Sequence, residues 1–296
     1  MKHKTKQSGF TLIELLVVMS IIALLLSVLM PALGRAKAEA MLTKEEHQIK
    51  AINSGLAIYA PHHNGLYPIP GLKQREQFNG SYVNGKGPED MLLNDHASFL
   101  SMCIMEKLFP IGTLIGPTES SDTVFAMENY NFDAYDGRPT VWQFWDPEFR
   151  NDLESESNNS YGFNPITGKR KHVSWRVSDS SYAMLGNRGP RDSEEDPYSQ
   201  TNLLHGIDRG WSGVISFGDG HQEYLEGFSN DTSTFTDYEG DIHLDTYFKE
   251  EYQDAALDPI YGNETGNGTD SILTHVKAGD VNDNGKGGGC EEFLHN

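Results

Sequence analysis

Near the end of a 296-residue chain, the stretch "GDVNDNGKGGGCEEF" places Asp280, Asn282, Asn284, Gly285 and Glu291 at positions 1, 3, 5, 6 and 12 of the pattern D-x-[DN]-x-[DN]-G-x5-E, with Lys286 at position 7. Alternate oxygen donors at this spacing converge on one ion, the glycine permits a sharp turn, and the distant carboxylate closes the shell. The chemistry expected there is Ca²⁺ capture. A polar, Gly-rich tail that needs no ion fits the same residues, because Gly287 stands where such a loop normally has an apolar anchor. A second constellation, His205, Asp219 and His221, has the residue types for acid/base or metal chemistry. A turn flanked by strand histidines serves structure more often, and no GxSxG elbow, HExxH pair or phosphate-cradling loop accompanies it. The chain is therefore expected not to be an enzyme. His62 and His63 sit among turn formers and read as a solvated turn rather than a metal pair. Cys103 and Cys290 match no metal spacing; they fit either one disulfide in an oxidising compartment or two separate thiols. Closing so long a loop would remove up to about 4 kcal/mol of unfolded-state entropy.

The elements that must position these groups begin with an apolar run from Phe10 to Leu33 in which Glu14 is the only ionisable side chain. As a helix this run is about 36 Å long at ~1.5 Å per residue, enough to cross a bilayer with some tilt. It follows a stub, Met1 to Gly9, with three lysines and no acid, so the stub is expected to stay cytoplasmic and the body to emerge on the other side. Pro31 lacks the N–H that the helical ladder needs and predicts a kink or local unwinding. Beyond it, Leu42, Ile49, Ile52, Leu56 and Tyr59 recur at helical spacing and give one apolar stripe on an otherwise polar helix.

A secretory signal places its small-residue cleavage site after the apolar stretch, whereas here the glycine comes first. With Gly9, Phe10 and Glu14 in that order, "GFTLIELLVVMSIIALLL" resembles the leader of type IV prepilins and type II secretion pseudopilins over roughly the first fifty residues. The resemblance implies cleavage between Gly9 and Phe10 by prepilin peptidase, methylation of the new Phe10 amine, and neutralisation of a neighbouring subunit's amine by Glu14 in the filament. It implies four segments: leader 1–9, transmembrane half-helix 10–33, amphipathic half-helix 34–60, and a periplasmic head 61–296 with a flexible C-terminal tail. The expected partners are prepilin peptidase, other pilins or pseudopilins, the assembly platform protein with its ATPase, and inner-membrane lipid. Type II secretion pseudopilins also order C-terminal loops with Ca²⁺, although their ligands cannot be mapped onto the tail pattern here.

The fold class expected is α+β: a long kinked N-terminal helix on an antiparallel sheet head with loop insertions. Helical periodicity stops at "YAPHHNGLYPIP", which resembles the NGxYP turn of major pseudopilins. The segment Glu89 to Pro110 predicts a second helix with Cys103 on a buried face. Strand-like runs follow at "TVFAMENYNF", "TVWQFW", "HVSWRV", "YAMLGN", "GVISFG" and "HQEYL". The last two predict a hairpin turning at Gly218, Asp219 and Gly220. With His205, this region resembles the His-to-Asp-Gly signature of prepilin processing-associated C-terminal domains, at a longer spacing than that signature carries. A net charge of −20, with 43 acidic against 23 basic residues, repels phosphate backbones and excludes nucleic acid as the expected partner. The function expected is a structural pseudopilin subunit; the alternative is a minor or tip subunit whose head binds secreted substrate or polysaccharide.

Overall fold

A computed structural model of the chain describes residues 10–153, 155–166, 171, 175–177, 180, 182–189, 211–228, 234–236, 242–244, 247–248 and 273. Helix α1 spans Leu12–Tyr59 and stays helical through Pro31, which lacks the N–H of one rung, so the local unwinding expected there does not occur. Contacts divide the chain into two units, residues 1–44 and residues 45–296.

In the first unit, every described residue from Phe10 to Ala40 is exposed, including Leu24, Leu25, Val28 and Leu33. The apolar part of α1 is long enough to cross a membrane, and none of that window is buried. Its serines are satisfied locally: Ser20 Oγ donates to Val17 O (2.8 Å) and Ser27 Oγ to Leu24 O (2.7 Å). Hydroxyls that return their protons to the preceding turn leave no unmet donor for a surrounding hydrocarbon phase.

The second unit opens with the remainder of α1. Ile49, Ile52 and Leu56 are fully buried, as their spacing predicts, and each contributes about 1.5–3 kcal/mol by leaving water. The buried face also carries polar groups, Glu45 and Asn53, which the apolar stripe does not foretell. Gly55 lies on it as well, where a Cβ would come within 2.5 Å of Leu108 O, so only glycine lets that backbone cross so closely.

Short helices follow, α2 (Pro70–Lys73) and α3 (His96–Met105). The second helix expected over Glu89 to Pro110 is shorter because Asp90 and Asp95 each cap a new start: Asp90 accepts from Leu92 N (3.2 Å) and Asp95 from Ser98 N (2.9 Å). Cys103 lies on the buried face of α3.

Four antiparallel strands, β1 (Tyr161–Phe163), β2 (Ala183–Asn187), β3 (Ser212–Phe217) and β4 (Gln222–Glu226), form a sheet in that order. A separate pair joins β5 (Thr234–Thr236) to β6 (Ile242–Leu244). The architecture is therefore α+β on a pilin-like plan, a long N-terminal helix followed by an antiparallel sheet.

Two predicted strands, "TVFAMENYNF" and "TVWQFW", do not form; these segments make only isolated bridges, Val124 to Ser157 and Asp136 to Gln143. Side chains take backbone donors within these runs that a ladder would use: Asp146 Oδ2 accepts from Asn131 N (2.8 Å) and Gln74 Oε1 from Phe144 N (3.1 Å). The "HVSWRV" run is described only at residues 175–177, where Arg176 bridges to Leu66. Strand β1, unannounced by its short Tyr-Gly-Phe sequence, is fully buried and pairs with β2.

Candidate functional site

The start of α1 is built by two residues. Thr11 N donates to Glu14 Oε2 (2.9 Å), Thr11 Oγ1 donates to the same oxygen (2.7 Å), and Glu14 N donates back to Thr11 Oγ1 (3.3 Å). This is a capping box, a reciprocal arrangement that satisfies backbone donors left over at a helix start. Its signature, Thr-x-x-Glu before an apolar run, stands in the sequence at Thr11 to Glu14, and the role of Thr11 was legible there. Phe10 directly precedes the cap and is 75% exposed. Glu14 thus has an acceptor role within its own chain, about one helical turn from Phe10.

The hairpin of β3 and β4 turns where the sequence places it. Ser216 pairs with Gln222, Gly220 takes φ +89°, and Gly220 N donates to Phe217 O (2.9 Å). Asp219 Oδ1 accepts from His221 N (3.0 Å) and also contacts His221 Nδ1; these contacts hold the Asp219 carboxyl below its ordinary range despite partial burial. The His221 ring stacks on Phe217 at 4.2 Å between centroids. Two latches anchor this turn within the head: Tyr67 Oη donates to Gly218 O (2.6 Å), and Asn53 Nδ2 donates to Ser216 Oγ (2.6 Å) and Phe217 O (2.7 Å). Asp219 and Gly220 therefore serve a tightly fastened turn.

Of the remaining sequence-predicted residues, Gly9, His205, Cys290 and the tail ligands Asp280, Asn282, Asn284, Lys286 and Glu291 lie outside the described residues. Cys103 is a buried free thiol whose pKa is pushed well up by burial, with Glu106 adding to the effect. His62 and His63 are exposed; His63 stacks on Tyr59 (3.6 Å) and its Nδ1 lies 2.9 Å from Tyr59 O. No group of three or more His, Cys, Asp or Glu suited to a metal occurs among the described residues.

Sequence reasoning gave no sign of a cleft of about 380 Å³ lined by Asp95, Ser98, Trp145, Asp146, Phe149 and Arg150. Asp95, the N-cap of α3, is 2% exposed, and burial lifts its carboxyl to about 6 against the lowering effect of the Ser98 hydrogen bonds. A folded-state pKa above the unfolded value means that stability from this group is fully present below about pH 4 and is lost as pH rises through about 6. Asn also caps helices well. Asp95→Asn is therefore expected to stabilise the head at pH 7 by up to about 3 kcal/mol, the equivalent of a two-unit shift, and to flatten the pH dependence between about 4 and 6. Urea unfolding of parent and variant across that range checks it; parallel pH profiles would show that the Asp95 carboxylate carries no such penalty.

Residues 4–30 match the family described as the prokaryotic N-terminal methylation motif. That motif fits a prepilin-like protein, and it takes in the last part of the basic stub, Gly9, Phe10, the capping box and most of the exposed apolar part of α1. No curated protein and no solved structure matches the chain. The matched segment and the antiparallel sheet that follows α1 fit a pilin-like plan, and among the described residues one apolar N-terminal helix is compatible with membrane anchoring.

Proposed function

We infer that the chain is a structural subunit of a type II secretion or type IV pilus-like filament. Prepilin peptidase cuts between Gly9 and Phe10, the Phe10 amine is methylated, and α1 anchors the product in the inner membrane with its head in the periplasm. A platform protein and ATPase then draw it into a filament with other pilin-like subunits, and the chain itself carries out no catalytic step. The observation that supports this reading is the match of residues 4–30 to the methylation motif on a helix whose apolar window is wholly exposed among the described residues. Exposed apolar surface of this extent needs lipid or other helices to cover it. Mass spectrometry of the mature N-terminus tests the reading. A methylated Phe10 is expected; an intact Met1 in the membrane-inserted protein would overturn it.

A further inference from the structure

Lys171 is the one buried lysine among the described residues, and its partner is Glu89. Nζ donates to both oxygens of that carboxylate, to Oε1 at 2.8 Å and to Oε2 at 2.9 Å. A third residue shares the contact. Asn94, 1% exposed, donates from Nδ2 to the same Glu89 Oε1 at 2.7 Å. Two nitrogens resting on one oxygen lie within two hydrogen-bond lengths of each other, so a lysine amine and a primary amide stand side by side on a carboxylate that touches both.

The other end of the amide is held as well. Asn94 Oδ1 accepts from Gly71 N (3.0 Å) in α2. At Gly71 an added Cβ would meet Asp90 O at 2.1 Å and Asn94 Oδ1 at 3.0 Å, so glycine is what lets this backbone donor reach the amide. A backbone N–H fixed on a carbonyl oxygen stabilises the negative charge that the oxygen gains when its carbon is attacked. A carboxylate on a lysine amine can take the proton that blocks the nitrogen lone pair. As an ion pair the site adds little stability, because two charges leave water for one attraction.

We propose that Lys171 and Asn94 form a self-modification site, at which Glu89 drives an amide bond between their side chains. Glu89 takes a proton from the Lys171 ammonium, and the freed lone pair of Nζ forms a bond to Asn94 Cγ. The carbonyl electron pair moves onto Oδ1, where Gly71 N–H receives it. Glu89 passes its proton to Nδ2, the Cγ–Nδ2 bond breaks as the carbonyl re-forms, and ammonia leaves. The second proton shed by Nζ stays on Glu89. One Cγ–Nζ bond replaces one Cγ–Nδ2 bond without an oxidant or any other reactant, and two buried charges give way to a neutral amide and a neutral acid. Amines and amides exchange slowly in water; holding them together supplies an effective concentration on the order of 10⁵ M or more. Gly71, Glu89, Asn94 and Lys171 all belong to the second unit, so the linkage requires no filament.

The test is mass spectrometry of the full-length chain purified in detergent, intact and after proteolysis. The parent is expected to be lighter by one ammonia than Lys171→Arg, after allowing for the substitution, and to yield a branched peptide that joins Lys171 to Asn94. Lys171→Arg keeps a cation on Glu89 but supplies no amine, and Asn94→Ala removes the carbon attacked; both are expected to show the full mass. Glu89→Gln keeps the shape without the base and should lower the linked fraction at least about tenfold. A parent of full mass would overturn the proposal, whatever the variants do. Loss of ammonia without the branched peptide would do so too, since an Asn-Gly step such as Asn64 to Gly65 also loses ammonia by cyclising on itself. Undiminished linkage in Glu89→Gln would remove Glu89 from the reaction. Processing at Phe10 leaves the difference between parent and variant unchanged, so this result and the filament reading fail separately.

Discussion

Glu14→Ala is expected to leave the chain inserted in the membrane and processed at Phe10, yet to lower its recovery in filaments by at least about tenfold, measured by immunoblot of sheared filaments against membranes. The structure supplies a way to separate two roles of this carboxylate. Within the subunit it caps α1 through Thr11. In the proposed filament it would face the cationic Phe10 amine of a neighbour, an attraction far stronger away from water than in it. Glu14→Gln distinguishes the two, because Gln serves at this position of a capping box as Glu does but carries no charge. If pairing between subunits is what matters, Gln fails as Ala does. If Gln restores incorporation, the cap alone accounts for Glu14 and the proposed pairing is wrong. Normal recovery of both variants would remove Glu14 from assembly altogether.

The largest stability effect is expected at Asn53. Its amide donates to Ser216 Oγ and to Phe217 O at the end of β3, and the residue is 2% exposed. Asn53→Asp preserves shape but turns that donor into a carboxylate facing a carbonyl oxygen, with no cation contacting the amide it replaces. A loss on the order of 3–5 kcal/mol is expected at pH 7.5 in urea unfolding followed by the fluorescence of the head tryptophans. Burial without a counter-charge raises the folded-state pKa of the introduced carboxyl above its unfolded value of about 3.9. Stability relative to the parent is therefore recovered as pH falls toward about 4.5, and lost as it rises through the raised pKa. A variant as stable as the parent at pH 7.5 would show that this latch does not hold the hairpin to α1.

How much of this molecule could be read in advance depended on the range of the interaction concerned. The apolar run from Phe10, the stripe of Ile49, Ile52 and Leu56, the glycine before the run and the turn at Asp219 and Gly220 are local patterns, set by periodicity, hydrophobicity and permitted φ, and the chain displays them directly. The capping box was equally local, and Thr11 to Glu14 states it. The segment "TVWQFW" misled because its alternation is that of a strand while a side chain distant in sequence, Gln74, takes the backbone donor of Phe144. Only the tertiary structure put Glu45 against Asn187 and Thr118, and Asn53 against Ser216 and Phe217, because each pair is formed by residues more than seventy positions apart. A polar side chain on a buried helix face looks like a flaw in the stripe until its distant partner is known, since one hydrogen bond decides whether burying it costs stability or adds to it. The sequence by itself determined the membrane-length helix, its start and the methylation motif; the partners of the buried polar groups, and the clefts between loops, came from packing across the fold.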